Sequence, residues 1–313
     1  ASKSFSMLTR RHIRIKVLQS LYAFIQNEGA SGAKALSELE KSLANIYRLY
    51  LLDLHILRQL VFFLEERKAI EEKKQFSSPA LIHTLGLAVS HPFLRRLADD
   101  DDLVSALEIH RVHFGDASDV VRKLLFDYWQ SDLAKTHFDE NQPLGEGWLK
   151  QFYGQYVANN EDLHAVYEGM EMHWADDLEA AQMMVVKTMK NLRQNKPLLV
   201  ELYKDEDDAR FGKELILKVL ADRSDWEKRL IEKSTHWDID RMALVDRLLV
   251  EMALSELVGF PEVPPRVTIN EALDVAKSYS TPKSAAFVNG LIDSIFTDLK
   301  AEGKVQKIGR GLL

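Results

Sequence analysis

Apolar residues recur along most of the chain at intervals of three and four, which is the period of an amphipathic helix. Thr9 predicts the N-cap of a first helix that ends near residue 26, with an apolar stripe from Ile15 to Ile25. A much longer helix is predicted for residues 34–75, and its apolar seam resembles a short coiled coil with a stutter. The seam consists of Leu36, Leu39, Leu43, Ile46, Tyr50, Leu54, Leu57, Val61 and Leu64.

The same period continues through the middle of the chain. It predicts helices over residues 79–98, 102–114, 117–137, 146–157, 161–172, 175–194, 207–221 and 223–234. No segment sustains the period of two that is typical of a strand, and no strands alternate with helices. The sequence therefore predicts an all-α fold.

Helix boundaries are more clearly marked in the last third of the chain. Asp238 predicts the N-cap of a helix that ends near residue 258. Thr268 and Glu271 have the spacing of a capping box, which predicts that the next helix begins at Thr268. Thr281, followed by proline, predicts the start of a last helix that ends near residue 300.

Composition narrows the class of protein. The chain has 313 residues, of which 46% are hydrophobic and 28% are charged, so we expect a globular protein of about two domains. It contains no cysteine, which excludes disulfides, thiolate metal sites and cysteine nucleophiles. The longest apolar run, residues 51–64, is interrupted by charge, and the chain start resembles no signal peptide. We therefore expect a cytoplasmic protein without membrane contact.

Charge is unevenly distributed around the net value of −7. The first 27 residues hold five cations and no acid, so the body of the chain is correspondingly acidic. The cluster at the predicted start of the first helix consists of Arg10, Arg11, His12, Arg14 and Lys16. Cations there oppose the helix dipole, whereas free backbone N–H groups beside arginines suit a phosphate. A solvated helix terminus remains the alternative.

Two further positions carry candidate binding chemistry. On the last helix, Lys283, Phe287 and Gly290 lie on one flank of the core stripe, an arrangement that suits a stacked, unpaired base. Alternatively, Phe287 is peripheral core and Gly290 a helix contact. Asp246 interrupts an otherwise apolar stripe, so it needs an internal partner such as Arg247, or faces a second protein.

No motif for a cofactor or a metal is complete. The group Glu108, His110 and His113 has no recognised metal-ligand spacing, and the paired glycines near residues 145 and 309 lack the context of a phosphate loop. We therefore expect neither a cofactor nor a metal.

Four segments together resemble the NusB family of transcription antitermination factors. They are TRRHIRIKVLQSLY (residues 9–22), WDIDRMALVDR (237–247), VPPRVTINEA (263–272) and FVNGLID (287–293). The resemblance covers about residues 7–28 and 175–299. It implies a fold of two small helical subdomains. It also divides the chain into a first helix (1–28), a large helical insertion (29–174), the remaining core (175–300) and a basic tail (301–313).

The resemblance also implies a function without catalysis. Family members bind the boxA element of ribosomal RNA transcripts with the ribosomal protein NusE, within a transcription elongation complex. Carried over by position, RNA contacts are expected from Lys283, Ser284, Phe287 and Asn289 and from the cluster Arg10, Arg11, His12, Arg14 and Lys16. Contacts with NusE are expected at Asp240 and Asp246. The acid-rich insertion is expected to serve stability or an unknown protein partner rather than RNA.

Some residues depart from the family pattern. His12 stands where a third arginine is usual, so charge there is expected to vary near the ordinary imidazole pKa of ~6.5. Lys283 stands where an acid can occur, and Glu251 replaces a common arginine.

Two alternatives compete with this function. One is a helical scaffold that has lost RNA binding. The other is a relative of the ribosomal RNA methyltransferases fused to NusB-like domains, which need a cofactor-binding sheet and catalytic cysteines.

Overall fold

A computed structural model describes residues 8–27, 31–139, 147–194, 196–233, 242–281 and 283–312. These ranges are all-α, as predicted, and contain no strand. The helices are α1 (Arg10–Gln26), α2 (Gly32–Glu72), α3 (Pro79–Val89), α4 (Pro92–Asp99), α5 (Asp101–Ile109), α6 (Ser118–Gln130), α7 (Asp132–His137), α8 (Trp148–Phe152), α9 (Glu161–Met170), α10 (Trp174–Arg193), α11 (Glu206–Lys233), α12 (Leu244–Gly259), α13 (Pro265–Tyr279) and α14 (Ser284–Ala301).

The chain divides into two compact units. The first comprises residues 1–43 and 203–313, and the second comprises residues 44–202. The insertion expected from the resemblance covers residues 29–174. The second unit begins later, at residue 44, and ends later, at residue 202. As a result α10, which the resemblance assigns to the core, lies in the second unit.

α12 is the central helix of the first unit. It packs against α1, α11, α13 and α14, and every residue from Leu248 to Leu257 is buried. A helix that is enclosed on all sides must satisfy its polar groups internally. Ser255 does so by accepting a hydrogen bond of 2.8 Å from the indole of Trp226 on α11.

A glycine permits the close contact between α1 and α11. A Cβ atom built on Gly212 would lie 2.7 Å from a methyl carbon of the buried Ile13. The preceding side chain, Phe211, is also buried and lies beneath Arg10 and Arg14 of α1. These two residues of α11 therefore shape the surface on which the basic start of α1 rests.

The part of the α2 seam that follows Leu43 lies in the core of the second unit. Tyr50, Leu54, Leu57 and Val61 are fully buried, as prediction required of a stable helical insertion. Tyr50 also bonds the hydroxyl of Thr188 on α10 at 2.6 Å. Aromatic residues from the middle of the chain cover the other side of α2, and Trp129 of α6 meets Phe63 edge-on.

Several helices begin or end at other positions than predicted. The predicted helix over 79–98 is divided because Pro92 lacks an N–H group and disfavours helical backbone at His91, which instead caps α4. The predicted helix over 117–137 is divided at Ser131, whose extended backbone caps α7. Conversely, the two helices predicted between 207 and 234 form the single helix α11.

The predicted start of α13 at Thr268 is wrong. The helix begins at Pro265, because Pro264 has the extended backbone of an N-cap and a proline suits the first helical position. Thr268 is buried and donates a hydrogen bond of 2.8 Å to Glu256. Likewise, α14 begins at Ser284 after an N-cap at Lys283 rather than at Thr281. The predicted cap Asp238 and the residue Pro282 lie outside the described residues.

The basic tail docks on the first unit. The backbone N–H of Ile308 donates to the carbonyl of Pro261 at 3.0 Å, and the Lys307 ammonium donates to the carbonyl of Phe260 at 2.9 Å. Gly311 lies so close to this turn that a Cβ atom on it would fall 1.9 Å from the Pro261 carbonyl oxygen. Only glycine fits this approach.

Replacing Gly311 with alanine is therefore expected to release the tail from the turn at residues 260–262. The tail should become more accessible to limited proteolysis after Lys304 and Lys307, whereas the unfolding temperature should change little because few core residues are involved. Gly303→Ala provides the comparison, because no atom lies within 4 Å of its Cβ position, although its positive φ makes alanine mildly strained. Equal cleavage rates in Gly311→Ala and wild type would contradict this role.

Candidate nucleic-acid interface

The start of α1 is capped by a residue of its own cationic cluster. Thr9 is the N-cap, as predicted, and the ring nitrogen Nδ1 of His12 accepts from its backbone N–H at 3.3 Å. A glutamate or glutamine usually completes this capping box. His12 thus contributes to helix initiation, and a ring protonated at Nδ1 could not accept this bond.

α1 has no acid in its own first turn, so acids from other elements neutralise its arginines. The Arg10 Nε donates to Asp208 of α11 at 2.9 Å, and its Nη1 lies 3.9 Å from Glu262. The guanidinium of Arg11 holds Glu271 at 2.9 and 3.2 Å, and Asp274 at 2.8 Å. These acids hold the guanidinium groups in fixed orientations, and the hydrogen bond to Glu271 helps raise the pKa of Arg11 further.

The four cations of the cluster differ in access to solvent. The side chains of Arg10 and Arg11 are 27% and 47% exposed. Arg14 is buried and binds Glu256 of α12 through two hydrogen bonds of 2.8 and 2.6 Å. Lys16 is also fully buried. Within this cluster, only Arg10 and Arg11 present guanidinium surface to a ligand. Arg14 and Lys16, which were also predicted to contact RNA, are not accessible to one.

Ion pairing limits the positive potential at this helix start. Among the described residues, the three arginines lie within 4 Å of five carboxylates, namely Asp208, Glu256, Glu262, Glu271 and Asp274. A bound phosphate would therefore share the arginine donors with these acids. Arg11 can do so, because none of its hydrogen bonds to described residues uses Nη1.

The α14 face is more open. Lys283 and Gly290 are exposed, and Phe287 is half-buried at the edge of the apolar core. No atom lies within 4 Å of a Cβ position on Gly290, so this glycine makes no helix contact and leaves space above the helix. The amide of Asn289 donates to Asp293 at 3.1 Å on the same helix. Ser284 is buried, and its hydroxyl bonds those of Ser280 and Thr281, so it does not face a ligand.

α13 connects the two candidate surfaces within the first unit. Near its middle it holds Arg11 through Glu271 and Asp274, and its end at Tyr279 leads directly to the start of α14. α13 also packs along α14. The basic start of α1 and the face of α14 are therefore attached to the same helix, although their residues are some 270 positions apart in the chain.

The expected contacts with a partner protein fall at the start of α12. Asp240 lies outside the described residues. Asp246 is only 5% exposed, and its Oδ1 has no hydrogen-bond partner in the described part of the chain. Of the alternatives for Asp246, an ion pair with Arg247 is not formed among the described residues, because Arg247 bonds Glu227 and Glu251 instead. Burial raises the pKa of Glu251 despite this arginine.

The acids that partner the arginines were not predicted from the sequence. Glu271 and Asp274 are three residues apart on α13, a spacing that is typical of an ordinary solvated helix face. Asp208 belongs to an acidic helix start, which the helix dipole explains without any partner. Only the packing of α11 and α13 beside α1 gives these acids their role.

Neither a membrane span nor a metal centre is found in the described residues. No helix there combines the length and the apolar character needed to cross a bilayer. No group of three or more histidine, aspartate or glutamate side chains in those ranges could hold a metal ion.

Comparison with known proteins identifies the family. The model of the NusB family matches residues 170–296, a range that excludes α1. The transcription antitermination protein NusB of Salinibacter ruber is 42% identical over 117 residues, which are 37% of this chain and 73% of that protein. The proteins of the same name from Chloroherpeton thalassium and Koribacter versatilis are 38% identical over 99 residues and 43% over 90.

These matches cover 32% and 28% of this chain, but only 47% and 62% of the Chloroherpeton and Koribacter proteins. No solved structure matched the chain. The match extends from α10 through most of α14, and its coverage of the Salinibacter protein is sufficient to show that the chain belongs to the NusB family.

Proposed function

We propose that this chain is a non-catalytic, RNA-binding transcription antitermination factor. Its target is boxA of ribosomal RNA transcripts, bound together with the ribosomal protein NusE within the transcription elongation complex. Family membership and the name shared by its relatives support this proposal. The observation that carries it is that Arg11 and α14, the helix of Phe287, both contact α13. One unit thus holds a guanidinium that can bind a phosphate and an aromatic ring that can stack on a base.

The two surfaces have complementary roles in this proposal. Arg10 and Arg11 contact phosphates through the donors that their acid partners leave available, and the acids hold each guanidinium in place. Phe287 stacks against an unpaired base above the open position at Gly290, and Lys283 attracts the neighbouring phosphate. Arg14, Lys16 and Ser284 are buried, so they stabilise the fold beneath the site and do not contact RNA.

NusE contact is assigned to the start of α12 and the residues before it, including Asp240. Beyond Arg247, α12 is enclosed by its neighbours, so its remaining faces are not available to a partner protein. Asp246 is assigned to the same contact, because its Oδ1 is buried and has no hydrogen-bond partner among the described residues.

Binding of a boxA-containing single-stranded RNA over a salt series tests the RNA site. Arg11→Ala should lower the dependence of log affinity on log salt by about 0.7, the value for one phosphate contact on a single strand. Phe287→Ala should weaken binding by about 1–3 kcal/mol with an unchanged salt dependence, because stacking releases no counterions. If both variants bind boxA like wild type, the assigned surface is wrong, and retained NusE binding would then favour the scaffold alternative.

Asp274→Asn should have the opposite effect to Arg11→Ala. It removes one of the two carboxylates that compete for Arg11, while Glu271 still orients the guanidinium. RNA affinity is therefore expected to increase, most clearly at low salt. Asp225→Asn is the matched control, because Asp225 is exposed on α11 of the same unit and makes no ion pair with a described residue. Equal gains in both variants would show a general charge effect instead of competition at Arg11.

A further inference from the structure

The second unit contains a basic segment within an acidic environment. Residues 180–200 include no aspartate or glutamate, and cations occupy every third position from 187 to 196. They are Lys187, Lys190, Arg193 and Lys196, of which the first three lie on the last two turns of α10. Three-residue spacing keeps these side chains on neighbouring positions of the helix surface.

A cavity of about 390 Å³ opens beside this segment. Lys190 and Arg193 of α10 and Lys150 of α8 supply its charged lining, whereas no acid lines it. Its apolar lining includes the half-buried ring of Phe93 on α4 together with Leu149. The volume lies at the lower end of the range for small-molecule sites, roughly 300–1,000 Å³. An anionic group attached to a flat apolar body fits this lining.

Helix stability explains only part of this arrangement. Cations near the end of α10 are stabilised by the negative end of the helix dipole. Arg96 also donates hydrogen bonds to the carbonyls of Leu192 and Lys196 there. Lys150, however, comes from a different helix. Burial, followed by the charges of Lys196 and Lys190, also lowers the pKa of Lys187, so the cations repel one another.

Other lysines of the second unit differ in their pairing. Lys68, Lys74, Lys123 and Lys135 each hold a carboxylate within about 3 Å. Lys150, Lys190 and Lys196 are exposed and have no carboxylate within 4.0 Å in the described ranges. Lys73 is also exposed without a carboxylate partner in those ranges. The cavity differs because its lining combines Lys150, Lys190 and Arg193 with no acid, so an incoming anion would meet positive charge from two helices there.

We propose that this cavity is a second binding site for single-stranded RNA. Lys150 and Lys190, which line the cavity, bind phosphates, and Lys196, two residues after the lining residue Gln194, adds positive charge beyond it. A base stacks against Phe93. RNA fits better than an acidic peptide, because the site places an aromatic ring and apolar walls directly among the cations. The inference extends the proposed function, on which it rests for the nature of the polyanion. It also assigns RNA contact to α4 and α8, outside the residues that match the family, and so replaces the expectation that the insertion does not contact RNA.

The test uses the full chain and a fluorescent oligouridylate of about twelve nucleotides, a length within the range of single-strand binding sites. Lys150→Ala combined with Lys190→Ala should weaken binding and lower the salt dependence by about 1.4, or 0.7 for each phosphate that is no longer neutralised. Lys123→Ala combined with Lys135→Ala removes the same charge from paired, exposed positions of the same unit and should leave the salt dependence unchanged.

A second variant tests the stacking. Phe93→Leu keeps apolar bulk and removes the aromatic face, so affinity should fall roughly 5- to 150-fold with an unchanged salt dependence. Circular dichroism and the unfolding temperature establish that this half-buried position still folds. Reduced affinity in a folded variant supports the site, and wild-type affinity overturns the stacking role.

The remaining outcomes separate this inference from the proposed function. Equal decreases in affinity for the two lysine pairs would show a general charge effect and overturn the site. Competition by polyglutamate as effective as that by RNA would indicate an acidic protein partner and overturn it as well. If Lys150 and Lys190 matter while Arg11→Ala and Phe287→Ala retain boxA affinity, the inference stands and the site assigned to α1 and α14 fails. If Arg11→Ala and Phe287→Ala lose boxA affinity while the Lys150 and Lys190 variant binds like wild type, the second site is overturned and the proposed function stands.

Discussion

Replacing Arg14 with alanine is expected to lower the free energy of unfolding by about 3–5 kcal/mol, the usual cost of removing one member of a buried ion pair. The guanidinium is 7% exposed, and Glu256 is 2% exposed. Without Arg14, the carboxylate of Glu256 keeps only the hydroxyl of Thr268 among its hydrogen bonds to described residues. Urea unfolding monitored by tryptophan fluorescence measures the change.

Arg11→Ala is the matched control for this prediction. Arg11 forms an ion pair of similar geometry one helical turn away, but its side chain is 47% exposed. Solvent screening should limit its contribution to stability to about 0–1 kcal/mol. The two variants should therefore separate the roles of the cluster, with Arg14 needed for folding and Arg11 for RNA. A stable Arg14→Ala protein with impaired RNA binding would reverse this assignment.

The second large effect is expected at Asp53, which is buried in the second unit. Its two carboxylate oxygens accept hydrogen bonds of 2.6 Å from the hydroxyls of Tyr153 and Tyr167. Asp53→Ala leaves both buried hydroxyls without their acceptor, at about 1–3 kcal/mol each. A decrease of roughly 2–6 kcal/mol in the free energy of unfolding is therefore expected near pH 4, where the folded wild-type protein holds Asp53 protonated.

Asp53→Asn should act differently, and its effect should depend on pH. Burial raises the pKa of Asp53 to about 6, although the two tyrosine hydrogen bonds oppose this change. The folded state therefore holds a proton that the unfolded chain, with a pKa of about 3.9, releases. The resulting stability is present below pH ~4 and is lost as the pH rises through 6.

Asparagine resembles the protonated acid and does not titrate. Asp53→Asn should match wild type near pH 4 and exceed its stability by an amount on the order of 2 kcal/mol at pH 7. Denaturant unfolding at both pH values provides the comparison, and the difference between the two curves cancels the titration of all other groups. A variant that is less stable than wild type at pH 7 would show that the tyrosines favour the ionised carboxylate more strongly than burial opposes it.

Local patterns located most helices because helix period and caps depend on neighbouring residues. Thr9 and the apolar stripe placed α1 to the residue, and the long seam placed α2 within three residues of its ends. Boundaries were missed where a nearby proline outweighed the pattern. Pro265 set the start of α13 although Thr268 and Glu271 had the spacing of a capping box.

The candidate site was only partly predictable for the same reason. Sequence patterns selected Arg10, Arg11, Lys283 and Phe287, all of which retain some exposure, and equally selected Arg14 and Lys16, which are buried. The family resemblance added Ser284, which is buried as well. Neighbouring positions on a helix surface look alike in sequence. Whether each faces solvent depends on which helices cover it.

The sequence by itself determined the helical class, the family and the basic character of the start of α1, because each is encoded in composition, spacing or adjacent residues. Tertiary structure alone decided the electrostatics. Asp208, Glu256, Glu271 and Asp274 are 198 to 263 positions from the arginines that they neutralise. The unpaired lysines around Phe93 likewise come from different helices. Coulomb interactions depend on distance in space, and only the folded chain sets those distances.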